Sequence, residues 1–257
     1  MITVIGKGAT LTDIRKIEPA TPPDAGSRWQ PIPHIALIDS IKADAGRRNW
    51  EITASQFARN ESGSTLAGAF TFKRIEGLPT LPGMSYSLGF INSNDRRKAL
   101  KLTVGAHIKC CANGLCTGTV LIKRLHDHTV NDLSSIIGEA IDEYSKKAAN
   151  IPDMVSALQK RPLLDSEASH ALVTAARAKL IGWAAVGRVY QEYQRPKFEE
   201  HGRGTSWSLL NAFTYAARRN VNPTRQMEAY DEFRQLLPVF KPGESSRVSA
   251  KHKAAYN

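Results

Sequence analysis

The sequence predicts an α+β fold, an antiparallel β-meander packed by a long helix and followed by a C-terminal helical segment. Three observations carry this. Between about residue 50 and residue 123 the apolar residues recur at every second position, the period of a sheet with one buried face. At Leu133 the period switches to that of an α-helix. From about 153 the chain reads as helices punctuated by Pro162, Pro196, Pro223 and Pro238. Strands first and helices later define α+β rather than a doubly wound sheet.

Residues 1–30 read as an irregular N-terminal arm ending in the turn-rich stretch TPPDAG. An α+β core is expected over 31–150, opening with the compact run Pro33-His34-Ile35-Ala36-Leu37-Ile38. Trp50, Ile52 and Ala54 alternate with polar residues; Leu66, Phe70 and Phe72 share a face opposite Thr71 and Lys73; Met84, Tyr86, Leu88 and Phe90 alternate with small residues; Leu100, Leu102 and Val104 alternate with Lys101 and Thr103. Turn chemistry separates these runs at Glu61–Ser64, Leu81–Gly83 and Asn92–Asp95. Two more short strands fit 106–111 and 117–123, joined through Asn113-Gly114, a pair suited to a tight hairpin. Leu133, Ile136, Ile137, Ala140, Ile141 and Tyr144 then form one helical stripe. Thr129 or Asn131 is placed to cap its start, Lys146 and Lys147 favour its end, and Asn150-Ile151-Pro152 closes it. A helical segment over 151–240 has candidate helices at 166–193, 206–219 and 224–236, and 241–257 is a basic tail expected to be flexible.

Composition narrows the class of function. Lys and Arg number 35 against 24 Asp and Glu, so the net charge is +11 over 257 residues. A charge of that size repels itself, and a polyanion relieves it. No apolar run approaches the roughly 20 residues that cross a bilayer, and the N-terminus lacks the apolar region of a signal peptide. The three cysteines, Cys110, Cys111 and Cys116, are too clustered and too few for a secreted disulfide framework. A cytoplasmic location is expected.

The motifs that suggest chemistry are weak. Gly6-Lys7-Gly8-Ala9-Thr10 lacks P-loop spacing. The cysteines lack zinc-ligand spacing, and adjacent strand residues point to opposite faces, so Cys110 and Cys111 read as packing residues. His126, Asp127 and His128 lie ahead of the long helix without a paired carboxylate or activated nucleophile. No catalytic residue, metal or cofactor is expected. The basic residues are more informative. Arg96, Arg97, Lys98, Lys101, Lys109, Lys123 and Arg124 fall on one turn and neighbouring strands, a stripe that tracks a phosphate backbone. Arg218, Arg219 and Arg225 form a second group between two helices. Tyr86 and Phe90 alternate too regularly to stack on bases and belong to the core, and Trp207, Leu210, Asn211 and Tyr215 read as a packing face with Asn211 a satisfied amide.

Several short matches resemble an uncharacterised phage/plasmid-like protein family, a domain of unknown function. They are Leu88-Gly89-Phe90-Ile91-Asn92-Ser93 with Asp95, then Ala99-Leu100, Gly105, Ile108, Cys110 and Asn113-Gly114, then Asp127-His128-Thr129, and finally Trp207 to Thr214; His34 also fits. Arg96-Arg97-Lys98 and Cys111 depart from the family pattern, so nothing carries over there. The resemblance implies a phage or plasmid element without assigning an activity. The meander closed by a helix is also similar to the core of phage single-strand annealing proteins, which hold single-stranded DNA in a basic groove. The function expected is thus a nucleic-acid-binding protein, favouring single-stranded DNA, acting as a homo-oligomer in annealing and recombination. A metal-dependent nuclease or nucleotide-modifying enzyme using His126, Asp127 and His128, and an inhibitor of a host defence protein, are the alternatives.

Overall fold

Alternation in the first half and a 3.6-residue stripe in the second produce the expected α+β architecture. A computed structural model describes residues 7–22, 26, 28–81, 83–108, 114–124, 132–217 and 223–237. The chain divides into two units, Met1–Asn150 and Ile151–Asn257.

The first unit holds β1 (Lys7–Gly8), α1 (Leu11–Arg15), α2 (His34–Arg47), β2 (Ile52–Arg59), β3 (Thr65–Phe72), β4 (Met84–Ser93), β5 (Leu100–Ile108), β6 (Gly114–Arg124) and α3 (Leu133–Ala148). The strands form one sheet in sequence order, every neighbour antiparallel. The stretch expected as an irregular arm contributes the edge strand β1 and the helix α1, whose Thr10 and Asp13 form a capping box. The expected separate strands at 100–104 and 106–111 are one continuous strand as far as Ile108, because Gly105 keeps its place opposite Ser87 in the β4–β5 ladder, while the β5–β6 ladder shifts register just before it pairs with Cys116. Residues 109–111 and Asn113 lie outside the described residues.

The core of this unit is aromatic. Trp50, Phe72 and Tyr144 pack with ring centroids 5.3 and 5.4 Å from Trp50, and Phe57, Phe70 and Phe90 form a second group at 5.7–6.1 Å. Tyr144 carries the α3 stripe onto this cluster and donates its hydroxyl to the Ser87 carbonyl at 3.2 Å. Gly68 sits under the Phe57 and Phe90 rings, where a Cβ would come within 2.5 Å of the Phe90 ring. The opposite sheet face is not the solvated one that simple alternation implies. All of β3 is buried, and so are Ser87, Ile91 and Ser93 of β4 and Thr103 of β5. That face is built largely of small residues (Ala67, Ala69, Thr71, Ser87, Gly89), which suit burial as well as exposure. Helix α3 starts after Asp132, which makes no side-chain cap bond; Thr129 and Asn131 lie outside the described residues.

The second unit contains α4 (Ile151–Lys160), α5 (Asp165–Arg177), α6 (Trp183–Gln194), a 3-10 turn (Glu199–His201), α7 (Ser206–Ala217) and α8 (Pro223–Leu236). Pro152 falls in the first turn of α4, where its missing N–H has no intrahelical partner to lose. The expected helix at 166–193 is two helices. Lys179 adopts φ +59° and Leu180 N donates to Ala175 O at 2.9 Å, an αL stop followed by a reversal at Gly182. Leu158, Leu172, Val189, Phe213 and Phe233 fill the centre, with the Phe213 and Phe233 rings stacked at 3.8 Å. Asn211 is the buried, satisfied amide expected of it, donating to Trp207 O at 2.9 Å.

Candidate nucleic-acid interface

The antiparallel register collects one set of chain reversals at a single end of the sheet. Thr65 pairs with Ser93, Leu100 with Arg124 and Lys7 with Arg59. The β2–β3 turn, the β4–β5 turn and the last residues of β6 therefore lie together. A dense polar network holds them. His34 opens α2 and is buried; its Nδ1 accepts from Asn92 Nδ2 at 2.9 Å, so its Nε2–H donates to Gly63 O at 2.9 Å. Burial pushes this imidazole below the usual histidine range, and the bond to Gly63 offsets that only in part. Asn92 also donates to Ile32 O at 2.8 Å, and Asn94 both donates to Ile32 O and accepts from Ile32 N at 3.0 Å.

Asp95 anchors the β4–β5 turn. It accepts from the Ser93 hydroxyl, from Ser64 Oγ at 2.9 Å and from Arg97 N at 3.2 Å. Burial raises its pKa, but bonds from Ser93, the Arg97 amide and Ser64, with the Arg97 charge, outweigh that and hold the carboxyl below its ordinary value. The Arg97 guanidinium lies 3.7 Å from Asp95 and is 83% exposed, so it is tethered and still faces solvent. Arg96 takes φ +62°, which turns the chain at the tip. A cavity of about 250 Å³ lies beside the turn, between Ile17–Pro22 of the N-terminal stretch and Ser62–Ser64, Asn94 and Asp95. The family-like residues His34, Asn92, Ser93 and Asp95, scattered in sequence, thus meet in one network. Both His34 nitrogens have partners and its ring is 2% exposed, so it shapes this end of the sheet and does not exchange protons with a substrate.

Of the expected phosphate contacts, the structure brings five side chains to this end. Arg96, Arg97 and Lys98 occupy the turn. Lys101 and Lys123 are direct partners across β5 and β6, with Cβ atoms about 5 Å apart as in any facing pair; Lys123 is exposed and Lys101 half-buried. Arg124 has its backbone opposite Leu100, one position out of step with the lysine pair. Lys109 lies outside the described residues. Ile108, the last described residue of β5, is at the other end of the sheet, about 27 Å from Leu100 at the usual strand rise. Among the described residues, the expected contacts gather at this one end of the sheet. Sequence reasoning also missed Arg59, which β1–β2 pairing sets at the same end opposite Lys7; its signal was the turn Asn60–Ser64 directly after it. His126, Asp127, His128, Arg218 and Arg219 lie outside the described residues, and no group of three or more His, Cys, Asp or Glu able to hold a metal occurs among the described ones. No helix among them is long and apolar enough to cross a membrane.

An antiparallel six-stranded meander carrying a polar-networked, cationic sheet end, followed in sequence by a helical unit, defines the class structurally. Residues 24–237 match the family described as Domain of unknown function (DUF932), and the chain belongs to that family. No curated protein and no solved structure shows a significant match.

Proposed function

We propose that the chain binds single-stranded nucleic acid, DNA in the first place, by its phosphate backbone at the β4–β5 end of the sheet. The observation that carries this is the facing pair Lys101 and Lys123 beside the Arg96-Arg97-Lys98 turn. A phosphate laid across two facing ammonium groups interacts with both at once. The Asp95 network fixes the turn that presents Arg97, so the cations are partly pre-ordered for a ligand. Contacts go to phosphates and sugars: the central strands are buried on both faces, which leaves Tyr86 and Phe90 no bases to stack on. Assembly with further copies and a role in annealing and recombination belong to the same proposal, supported by β6, an eleven-residue strand at the edge of the sheet, where strand addition takes place.

Fluorescence anisotropy with a labelled oligonucleotide tests the location. Replacing Arg96, Arg97 and Lys98 together by Ser is expected to weaken binding at least about tenfold. Replacing Lys73 and Arg74, exposed at the opposite end of the sheet, is expected to weaken it far less. Equal losses would mean that net charge, not this end, binds the strand. Solution mass with and without the oligonucleotide reports assembly.

A further inference from the structure

A cavity lies in the helical unit. Helices α6 and α7 leave between them a cavity of about 750 Å³, lined by Arg188, Tyr190, Glu192, Arg195 and Tyr215 among others. That volume falls in the range of small-molecule pockets. Arg188 lies in α6 and Arg195 is the residue that caps its C-terminus; both line the cavity. Arg195 is exposed, and its guanidinium has no partner among the described residues. Two aromatic rings join it. Tyr190 Oη accepts from Gln194 at 3.1 Å, and Tyr215 Oη accepts from Lys197 Nζ at 3.4 Å, with the same ammonium 5.9 Å from the Tyr215 ring centroid. These bonds hold both rings at the cavity by their hydroxyls.

Glu192 adds an acceptor of opposite charge. Its Oε1 takes the Lys197 N–H at 2.9 Å and lies 4.0 Å from His201 Nδ1. His201 is 1% exposed, and neither ring nitrogen has a hydrogen-bond partner. A buried imidazole in that state marks polar chemistry left incomplete, and here it abuts the one carboxylate that lines the cavity among the described residues.

The geometry points to a nucleoside phosphate site, with the phosphate on Arg195, the base against Tyr190 and Tyr215, and an exocyclic amine of the base donating to Glu192. Guanidinium suits phosphate and aromatic faces suit any base. A carboxylate accepts from the amine of adenine or cytosine and repels the carbonyl that thymine presents there. The ligand is a free nucleotide or the phosphorylated end of a strand, both offering the same chemistry.

Calorimetric titration of the full chain with dAMP, dTMP, inorganic phosphate and a 5′-phosphorylated oligo-dA decides this. Saturable dAMP binding is expected, about tenfold tighter than dTMP and than phosphate, a gap of about 1.4 kcal/mol. Arg195→Ala should weaken it about tenfold. Glu192→Gln, which keeps an acceptor for Lys197 N, should abolish the dAMP over dTMP preference. Competition by the oligonucleotide against dAMP identifies a strand end as ligand; dAMP binding without competition identifies the free nucleotide. The double variant Lys101→Ala and Lys123→Ala in the sheet unit should leave dAMP affinity unchanged, so the two sites fail or stand separately. Absence of saturable dAMP binding, phosphate binding as tight as dAMP, or an unaffected Arg195→Ala overturns the assignment.

Discussion

Single residues at the sheet end separate binding from stability. Arg96 holds φ +62°, a conformation that costs a side-chain-bearing residue about 1 kcal/mol and glycine nothing. Arg96→Gly should therefore keep stability within about 1 kcal/mol of the parent, the gain in the turn set against extra unfolded-state freedom, while oligonucleotide affinity falls; chemical denaturation and anisotropy measure the two. Titration supplies another test. His34 and His201 both have pKa values lowered chiefly by burial. Above the ordinary histidine value of 6.5 both folded and unfolded states are neutral and stability is full. As pH falls below 6.5 the unfolded chain takes up protons that the folded one refuses, so stability drops. His34→Gln should reduce that slope by up to about 1.4 kcal/mol per pH unit. Asp95 acts in a lower window: its depressed pKa contributes stability that is present above 3.8 and lost as pH falls through the folded value. A stability curve for His34→Gln that matches the parent between pH 5 and 7, on the order of the histidine range, would place the neutral imidazole elsewhere. None of this network was legible as a network. The residues His34, Asn92, Ser93 and Asp95 stand out only by family resemblance, and their convergence depends on the β3–β4 register.

At the scale of elements, the strands were the most legible part. Their alternation is imposed by the aromatic face, and Gly68 shows how tightly that face is filled. Gly68→Ala puts a methyl group into the Phe57 and Phe90 rings and should destabilise the protein by about 3 kcal/mol, with partial recovery when Phe90→Leu opens space; denaturant midpoints at constant slope report this. The second face escaped alternation because Ala, Gly, Ser and Thr carry little information about burial. Helix α2 was readable and not read: His34, Leu37, Ile38, Ile41, Asp44 and Ala45 keep helical spacing and are buried, yet its buried His and Asp interrupt the apolar stripe. The α5–α6 break was illegible because a lysine, not a glycine, occupies the left-handed position. The β5–β6 pair yields a prediction of opposite signs. Lys123→Glu sets opposite charges across the β5–β6 pair and should stabilise the free protein by about 0.5 kcal/mol. The same change should weaken oligonucleotide binding, whereas a merely structural lysine would move only the first quantity.

For the whole molecule, a net charge of +11 motivates the proposed polyanion partner without saying where it sits. Composition also left open how the cations would be distributed; the register gathers five of the seven expected side chains at one sheet end, with the Arg124 backbone beside them. Binding spread over the whole surface and binding at this end differ in one observable, the number of counterions released and which substitutions change it. The decisive measurement is the slope of log affinity for single-stranded DNA against log salt, for the parent and for the Lys101→Ala, Lys123→Ala double variant. Single strands lose about 0.7 of slope per neutralised phosphate. Five contacts therefore predict a parent slope of about −3.5, made shallower by about 1.4 in the double variant. A parent slope near zero, or a double variant whose slope equals the parent's, would contradict a strand seated on the paired lysines.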